Sequence, residues 1–326
     1  GNGVIVITTK KAAKGTARVS YQGSAGLQKI TKFIDVVDAA GFKKLYEAQL
    51  NNIPGSAPFD YSGFNADTDW QDLVTQTASM QNHSVSLSNS GEKSTTLLNL
   101  GYNQQEGVVK YGSYKRFTAR LNQEMRISRS FKVGADVTGN YYDTQNSGVN
   151  LNRAIWAVPI VPAKFSDEIF YRMPSFQTQV ANPLAEAERA RNTSINDRYR
   201  VVGSVFGEVT ILKQFKWRSA FYTDISRAGN RGYTPLPFEF ITIAEAGVVD
   251  ADTSRLATAR TATRQRMEEF RKFQQDHTLS YDSVFNGKHR VNVVAGFTSI
   301  FEGNSNIQGN RTDTTLTIPE GMEVAC

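Results

Sequence analysis

The chain has one cysteine, Cys326 at its last position, so it can form no internal disulfide and offers no cysteine cluster to a metal. A disulfide-stapled secreted scaffold is thereby excluded. Histidine is nearly as scarce. His83, His277 and His289 lie far apart, and none has a neighbour at ligand spacing, so no metal site is expected. Long apolar runs are also missing: a membrane-spanning helix needs roughly 18 consecutive apolar residues, and the best stretch, Ile155-Trp156-Ala157-Val158-Pro159-Ile160-Val161, already contains a proline. The net charge of +6 is spread thinly, with cations standing singly as at Arg116, Arg120 and Arg126. A nucleic-acid-binding arm would concentrate them in a block, so no nucleic-acid partner is expected. With 40% hydrophobic and 21% charged residues, the composition excludes disorder, collagen and a heptad rod.

Motifs for chemistry are absent too. Gly1-Asn2-Gly3-Val4-Ile5-Val6 opens like a dinucleotide fingerprint, but the third glycine is missing and a strand follows where a helix should begin. No GxSxG, phosphate-binding loop or EF-hand spacing occurs, and Glu268-Glu269, flanked by Arg264, Arg266 and Arg271, reads as a solvated charged face before an acid/base couple. Catalytic residues, metals and cofactors are therefore not expected, and the chain is not read as an enzyme. It begins without Met and ends without a terminator pattern, which reads as a fragment of something longer.

What the sequence has is alternation. Val19, Tyr21, Gly23, Ala25 and Leu27 alternate with polar residues, and the same period of two returns at Phe117–Ile127, Phe131–Tyr141, Tyr199–Ile211, Phe215–Ile225 and Val291–Phe297. Weaker runs at Val85/Leu87, Leu98/Leu100/Tyr102 and Leu279/Tyr281 bring the expected total to about nine strands, several of them long enough for a tilted strand to cross an outer membrane. Tight turns are expected at Ser90-Gly91-Glu92, Ser128-Arg129-Ser130, Lys213-Gln214 and Phe285-Asn286-Gly287-Lys288, the last an Asn-Gly hairpin signal. Between them lie extended connections at 29–79, 105–112, 144–196 and 229 to about 270. Short turns alternating with long loops describe an up-and-down antiparallel transmembrane β-barrel, here in part. Short helices are expected at Asp38–Ala48 and Pro183–Arg191, and Tyr21, Tyr102, Tyr141, Tyr142, Trp217, Tyr222 and Tyr281 are candidates for an aromatic girdle.

Gly1-Asn2-Gly3-Val4-Ile5-Val6-Ile7-Thr8-Thr9-Lys10-Lys11 resembles the end of the plug domain in TonB-dependent outer-membrane transporters of the SusC/RagA family. Arg18-Val19-Ser20-Tyr21 resembles that family's first barrel strand, and Asp67-Thr68-Asp69-Trp70-Gln71-Asp72 its Asn/Asp-Thr-Asp-Trp segment. Gln81–Ser86, Leu100–Gly107, Tyr114–Phe117 and Phe131–Gly134 are similar to its early hairpins, while Pro159-Ile160-Val161-Pro162 matches in style only, and Gly1 departs from the family's usual Ala or Ser. The resemblance implies that residues 1–14 end a plug and that 15–326 form the N-terminal part of an all-β barrel, too few strands to close one or to transport alone.

It further implies localisation in the outer membrane of a Gram-negative, Bacteroidetes-like cell and contact with outer-membrane lipid. The implied activity is import of nutrients such as oligosaccharides or peptides. A SusD-like lipoprotein would cap the outer face, and TonB–ExbB–ExbD would supply energy through an upstream region. Substrate contacts are expected from loop aromatics, with Trp156, Tyr171, Phe176 and Trp70 as candidates, since rigid aromatic anchors tend to carry binding energy. Two other readings stand beside this one: a siderophore or iron-chelate receptor of the same architecture, and a β-rich surface adhesin.

Overall fold

The structure is a computed structural model and describes residues 15–243, 249–252 and 259–313. The plug-like motif Gly1–Lys11 and Cys326 lie outside the described residues. Among the described residues, twelve strands and four α-helices follow in chain order. They are β1 (Gly15–Gln28), α1 (Ala39–Asn51), α2 (Trp70–Leu73), β2 (Ala78–Ser90), β3 (Ser94–Glu106), β4 (Ser113–Arg126), β5 (Phe131–Gln145) and α3 (Leu151–Trp156). Then come β6 (Ile169–Tyr171), α4 (Pro183–Ala190), β7 (Ser194–Ile211), β8 (Phe215–Thr234), β9 (Glu239–Ile243), β10 (Val249–Asp252), β11 (Ala262–Phe285) and β12 (His289–Thr312).

Nine strands form one antiparallel sheet in the order β1-β2-β3-β4-β5-β7-β8-β11-β12, each large strand pairing with the next large strand in sequence. This is the up-and-down meander that alternation and turn spacing predicted. Residues 91–93, 127–130, 212–214 and 286–288 turn at one rim, 29–77, 107–112 and 146–193 return at the other, and β8 ends and β11 begins at that same rim. The last tight turn takes positive φ at both Asn286 (51°) and Gly287 (64°), the conformation an Asn-Gly hairpin favours. The sheet is open, with β1 and β12 as its edges.

One sequence expectation fails at the long connection after β8. Residues 229 to about 270 were expected to be loop, but β8 continues to Thr234 and β11 already begins at Ala262. The stretch Arg264–Gln275 carries charged or amide groups on both faces, so no period of two shows in it. Its strand state is fixed instead by unbroken ladders to β8 and β12, from Ala262↔Thr234 and Ala262↔Thr312 onward.

The long loops build their own structure. α1 and α4 form where expected, each with a capping side chain: the carboxylate of Asp38 accepts from Gly41 N, and the amide oxygen of Asn182 accepts from Leu184 N and Ala185 N. A three-stranded sheet, β10-β9-β6, lies among these loops, its β6–β9 pair parallel. Strands of three to five residues leave too little alternation to be seen in sequence.

Candidate functional site

Strand register sorts the side chains of the large sheet into two faces. On one stand Phe131, Val133, Ala135, Val137, Gly139 and Tyr141 of β5, opposite Phe117, Ala119, Leu121 and Met125 of β4 and Tyr199, Val201, Val205 and Val209 of β7. This face is exposed although it is apolar, with Val201, Val205, Leu121, Phe117, Phe221 and Phe297 all open to solvent. A band of that size on a water-soluble surface would be a liability. Aromatic rings cross it in a row. Tyr21, His83, Tyr102, Phe117, Tyr141 and Tyr199 follow one another on six neighbouring strands, with centroids 6.1, 6.4, 4.7, 6.3 and 4.7 Å apart.

This row lies toward the long-loop end. Toward the tight-turn end stand Phe131, Trp217, Phe215 and Tyr281, with Phe215 and Tyr281 in contact at 4.8 Å and Trp217 stacked on His277 at 6.1 Å. Ten residue steps of β5 separate Phe131 from Tyr141. At about 3.4 Å per step and a tilt of about 40°, that is roughly 26 Å along the normal, against an apolar band of about 25 Å in outer-membrane barrels. Tyr21, Tyr102, Tyr141, Trp217 and Tyr281 thus occupy girdle positions. Tyr142 and Tyr222 do not: each is one residue out of phase and faces the other side, because adjacent side chains of a strand alternate.

The opposite face is polar, and across most of it cations and acids neutralise one another. Arg120 forks onto Asp136 at 3.2 and 2.8 Å, with the Asn122 amide donating to the same carboxylate at 3.1 Å. Arg200 forks onto Asp224 at 2.9 and 2.7 Å, Lys132 pairs with Glu124, Lys272 with Glu302, and Glu208 takes both Lys216 and Arg218. At the long-loop end the balance changes. There a cavity of about 610 Å³ is walled by Tyr114, Tyr142, Asn196, Asn230 and four arginines, Arg198, Arg200, Arg264 and Arg266.

Above the rim the loops pack into a cap with a real core. Phe64, Trp70, Val74, Val158, Ile160, Val161, Met173, Val180 and Ile243 are buried together, and Phe42, Phe59, Tyr61, Tyr171 and Phe176 close over them. The segment Asp67–Gln71 organises this cap one residue at a time. Asp67 accepts from Ala39 N at the start of α1. Thr68 zips onto the second long loop, its N donating to Pro159 O at 2.8 Å and its hydroxyl to Val161 O at 2.7 Å. Asp69 caps α2 through Asp72 N. The Trp70 indole donates to Val158 O at 2.9 Å, and the Gln71 amide both accepts from and donates to the backbone of Ile34. So the two family-like segments, Asp67–Asp72 and Pro159–Pro162, meet in space. In the same cap, burial and then the nearby Glu47 carboxylate hold the Tyr61 hydroxyl above the usual tyrosine range.

The four candidate ligand aromatics separate on this geometry. Trp70 is 2% exposed with its indole hydrogen-bonded, so its ring packs in the cap core, and it also lines the cavity that Trp156 faces. Phe176 stacks on Tyr46 at 4.4 Å and meets Phe59 edge-on at 5.4 Å within the cap's aromatic cluster, while Tyr171 packs against the cap core and meets Phe165 edge-on at 6.2 Å. Trp156 alone presents its ring, at 62% exposure, on the wall of a second cavity of about 350 Å³ shared with Val36, Val37 and Asp38. Sequence reasoning passed over the arginine pocket, because Arg264 and Arg266 lay in a presumed loop and Arg198 and Arg200 in a strand; only the register brings them together. Among the described residues no group of three or more His, Cys, Asp or Glu is placed to hold a metal ion.

No family model matches the chain. It is 24% identical over 301 residues to TonB-dependent receptor P39 of Formosa agariphila, covering 91% of this chain and 27% of that protein. It is 39% identical over 123 residues to TonB-dependent receptor SusC of Bacteroides thetaiotaomicron, covering 37% of this chain and 12% of the other. Among solved structures, the RagAB peptide transporter superposes with a TM-score of 0.69 at 19% identity, covering 93% of this chain and 37% of that one. The chain therefore spans under a third of the length of the curated relatives it matches.

Proposed function

We infer that this chain, a relative of the TonB-dependent receptors of SusC/RagA type, forms a wall and part of the outer cap of an outer-membrane importer for nutrients such as oligosaccharides or peptides. The observation that carries the reading is the two-faced sheet. One face is apolar between aromatic rows roughly 26 Å apart, and the other is lined with ion pairs suited to a watery lumen. Nine strands make less than half of the roughly 22 that a plugged transporter uses, so closure needs further strands beyond both edges. In that frame the plug would precede β1, the TonB–ExbB–ExbD complex would act on the plug side, and a SusD-like lipoprotein would sit above the cap. No observation on the chain favours the iron-chelate or adhesin readings.

The test is uptake by cells expressing the complete receptor. Accumulation of a labelled oligosaccharide or peptide pool should stop when the proton gradient is collapsed and when the gene is deleted. Accumulation indifferent to both would overturn the reading.

A further inference from the structure

We propose that the cavity at the long-loop end of the polar face is a binding site for a carboxylate-bearing oligosaccharide. The proposal rests on the importer reading and narrows its substrate class. Over the rest of the polar face Asp136 is matched by Arg120, Asp224 by Arg200, Glu124 by Lys132 and Glu302 by Lys272, while Asp276 takes only the Gln274 amide and Arg116 and Arg126 stand singly with no acid partner among the described residues. In the cavity two acid-free arginines come together. Glu268 is held by Arg266 at 2.6 Å and Arg200 is taken by Asp224, while Arg198 and Arg264 have no carboxylate partner among the described residues; Arg264 donates only to the Gln308 amide, at 3.1 Å. Asp197 also lines the cavity, but its strand phase turns the carboxylate to the other face of the sheet, close over Gly229.

Two guanidiniums without acids, turned into a concave wall, hold a local positive potential and present planar donor pairs that match a carboxylate. The rest of the lining points to a sugar as the carrier of that acid. Tyr114 and Tyr142 stand side by side with centroids 6.3 Å apart, offering ring faces for the C–H faces of pyranoses, and Asn196, Asn230 and Thr144 supply amide and hydroxyl groups for sugar hydroxyls. A peptide would ask for backbone-matching edges or apolar side-chain pockets, and this wall has neither among its lining residues.

The experiment uses the complete receptor purified in detergent, with binding measured by calorimetry for three probes of equal length: oligogalacturonate, its fully methyl-esterified form, and oligoglutamate. Oligogalacturonate should bind at least about tenfold more tightly than the ester, the loss expected when one charge-assisted hydrogen bond goes. Arg198→Gln with Arg264→Gln should remove that preference. Raising salt should weaken acid binding in the unsubstituted receptor, which gives a readout independent of whether the variant folds. Equal binding of acid and ester, or acid binding indifferent to salt, overturns the proposal. Oligoglutamate binding as tightly as oligogalacturonate overturns the sugar assignment. Gradient-dependent uptake of neutral oligosaccharides with no acid preference would refute this site while leaving the importer reading intact.

Discussion

Replacing Trp70 should unfasten the cap without unfolding the sheet. Its indole is 2% exposed among Phe64, Val74, Val158 and Ile160, and its nitrogen holds the Val158 carbonyl at 2.9 Å. A buried tryptophan removes about 200 Å² from water, worth roughly 5 kcal/mol at 25 cal/mol per Å², and Trp→Ala changes in cores cost about 3–5 kcal/mol. Trp70→Phe keeps most of that area but leaves the Val158 carbonyl unpaired, a cost of about 1–3 kcal/mol. The two variants should therefore rank in that order. Only loops meet at this core, so the loss should appear as local opening. Hydrogen exchange on the complete receptor should show faster exchange at 64–76 and 154–164, graded Ala above Phe, while β4, β5 and β7 exchange as before. Equal exchange in all three proteins would show that the indole does not fasten the two loops. Collapse of strand protection would show that cap and sheet form one cooperative unit.

Asn182 is a comparable fastener of the third part of the cap. Its amide donates to Ala163 O and Tyr171 O, and its oxygen caps α4, so Asn182→Ala should cost about 3 kcal/mol and speed proteolysis within 160–190. On the apolar face, Val137→Arg sits midway between Phe131 and Tyr141 and should destabilise the receptor in lipid by about 2–4 kcal/mol, whereas Thr138→Arg one residue on, facing the lumen, should cost far less; urea unfolding in vesicles separates them. Gly287→Ala, at φ 64°, should cost about 1 kcal/mol and slow formation of the β11–β12 hairpin, seen as a lower unfolding midpoint.

Much of the sheet was legible because a half-lipid, half-water strand writes a period of two into its residues, as Phe131–Tyr141 does without interruption. β11 was not legible at its start: Glu269, Arg271 and Gln275 interrupt the apolar face, so the strand reads as loop until its neighbours are known. The faces of Tyr142 and Tyr222 were missed for a related reason, since an aromatic on a barrel strand is as acceptable to a lumen as to a lipid boundary and phase alone decides. The cap lay beyond sequence reasoning. Trp70 and Val158 are 88 residues apart, and nothing in either loop announces the other. The same holds for the arginine pocket, assembled from β7 and β11 by a register that neither strand specifies alone.

The central claim is that one face of the sheet meets lipid and the other a watery lumen. The direct measurement is a nitroxide scan of β5 from position 131 to 141 in the complete receptor, freed of other cysteines and reconstituted in vesicles, reading accessibility to oxygen and to a water-soluble nickel chelate. Oxygen accessibility should peak at 133, 135, 137 and 139 and nickel accessibility at 134, 136, 138 and 140, with oxygen highest near 136 in depth between the two aromatic ends. Nickel accessibility at every position, with no alternation, would place the apolar face in water and contradict the account.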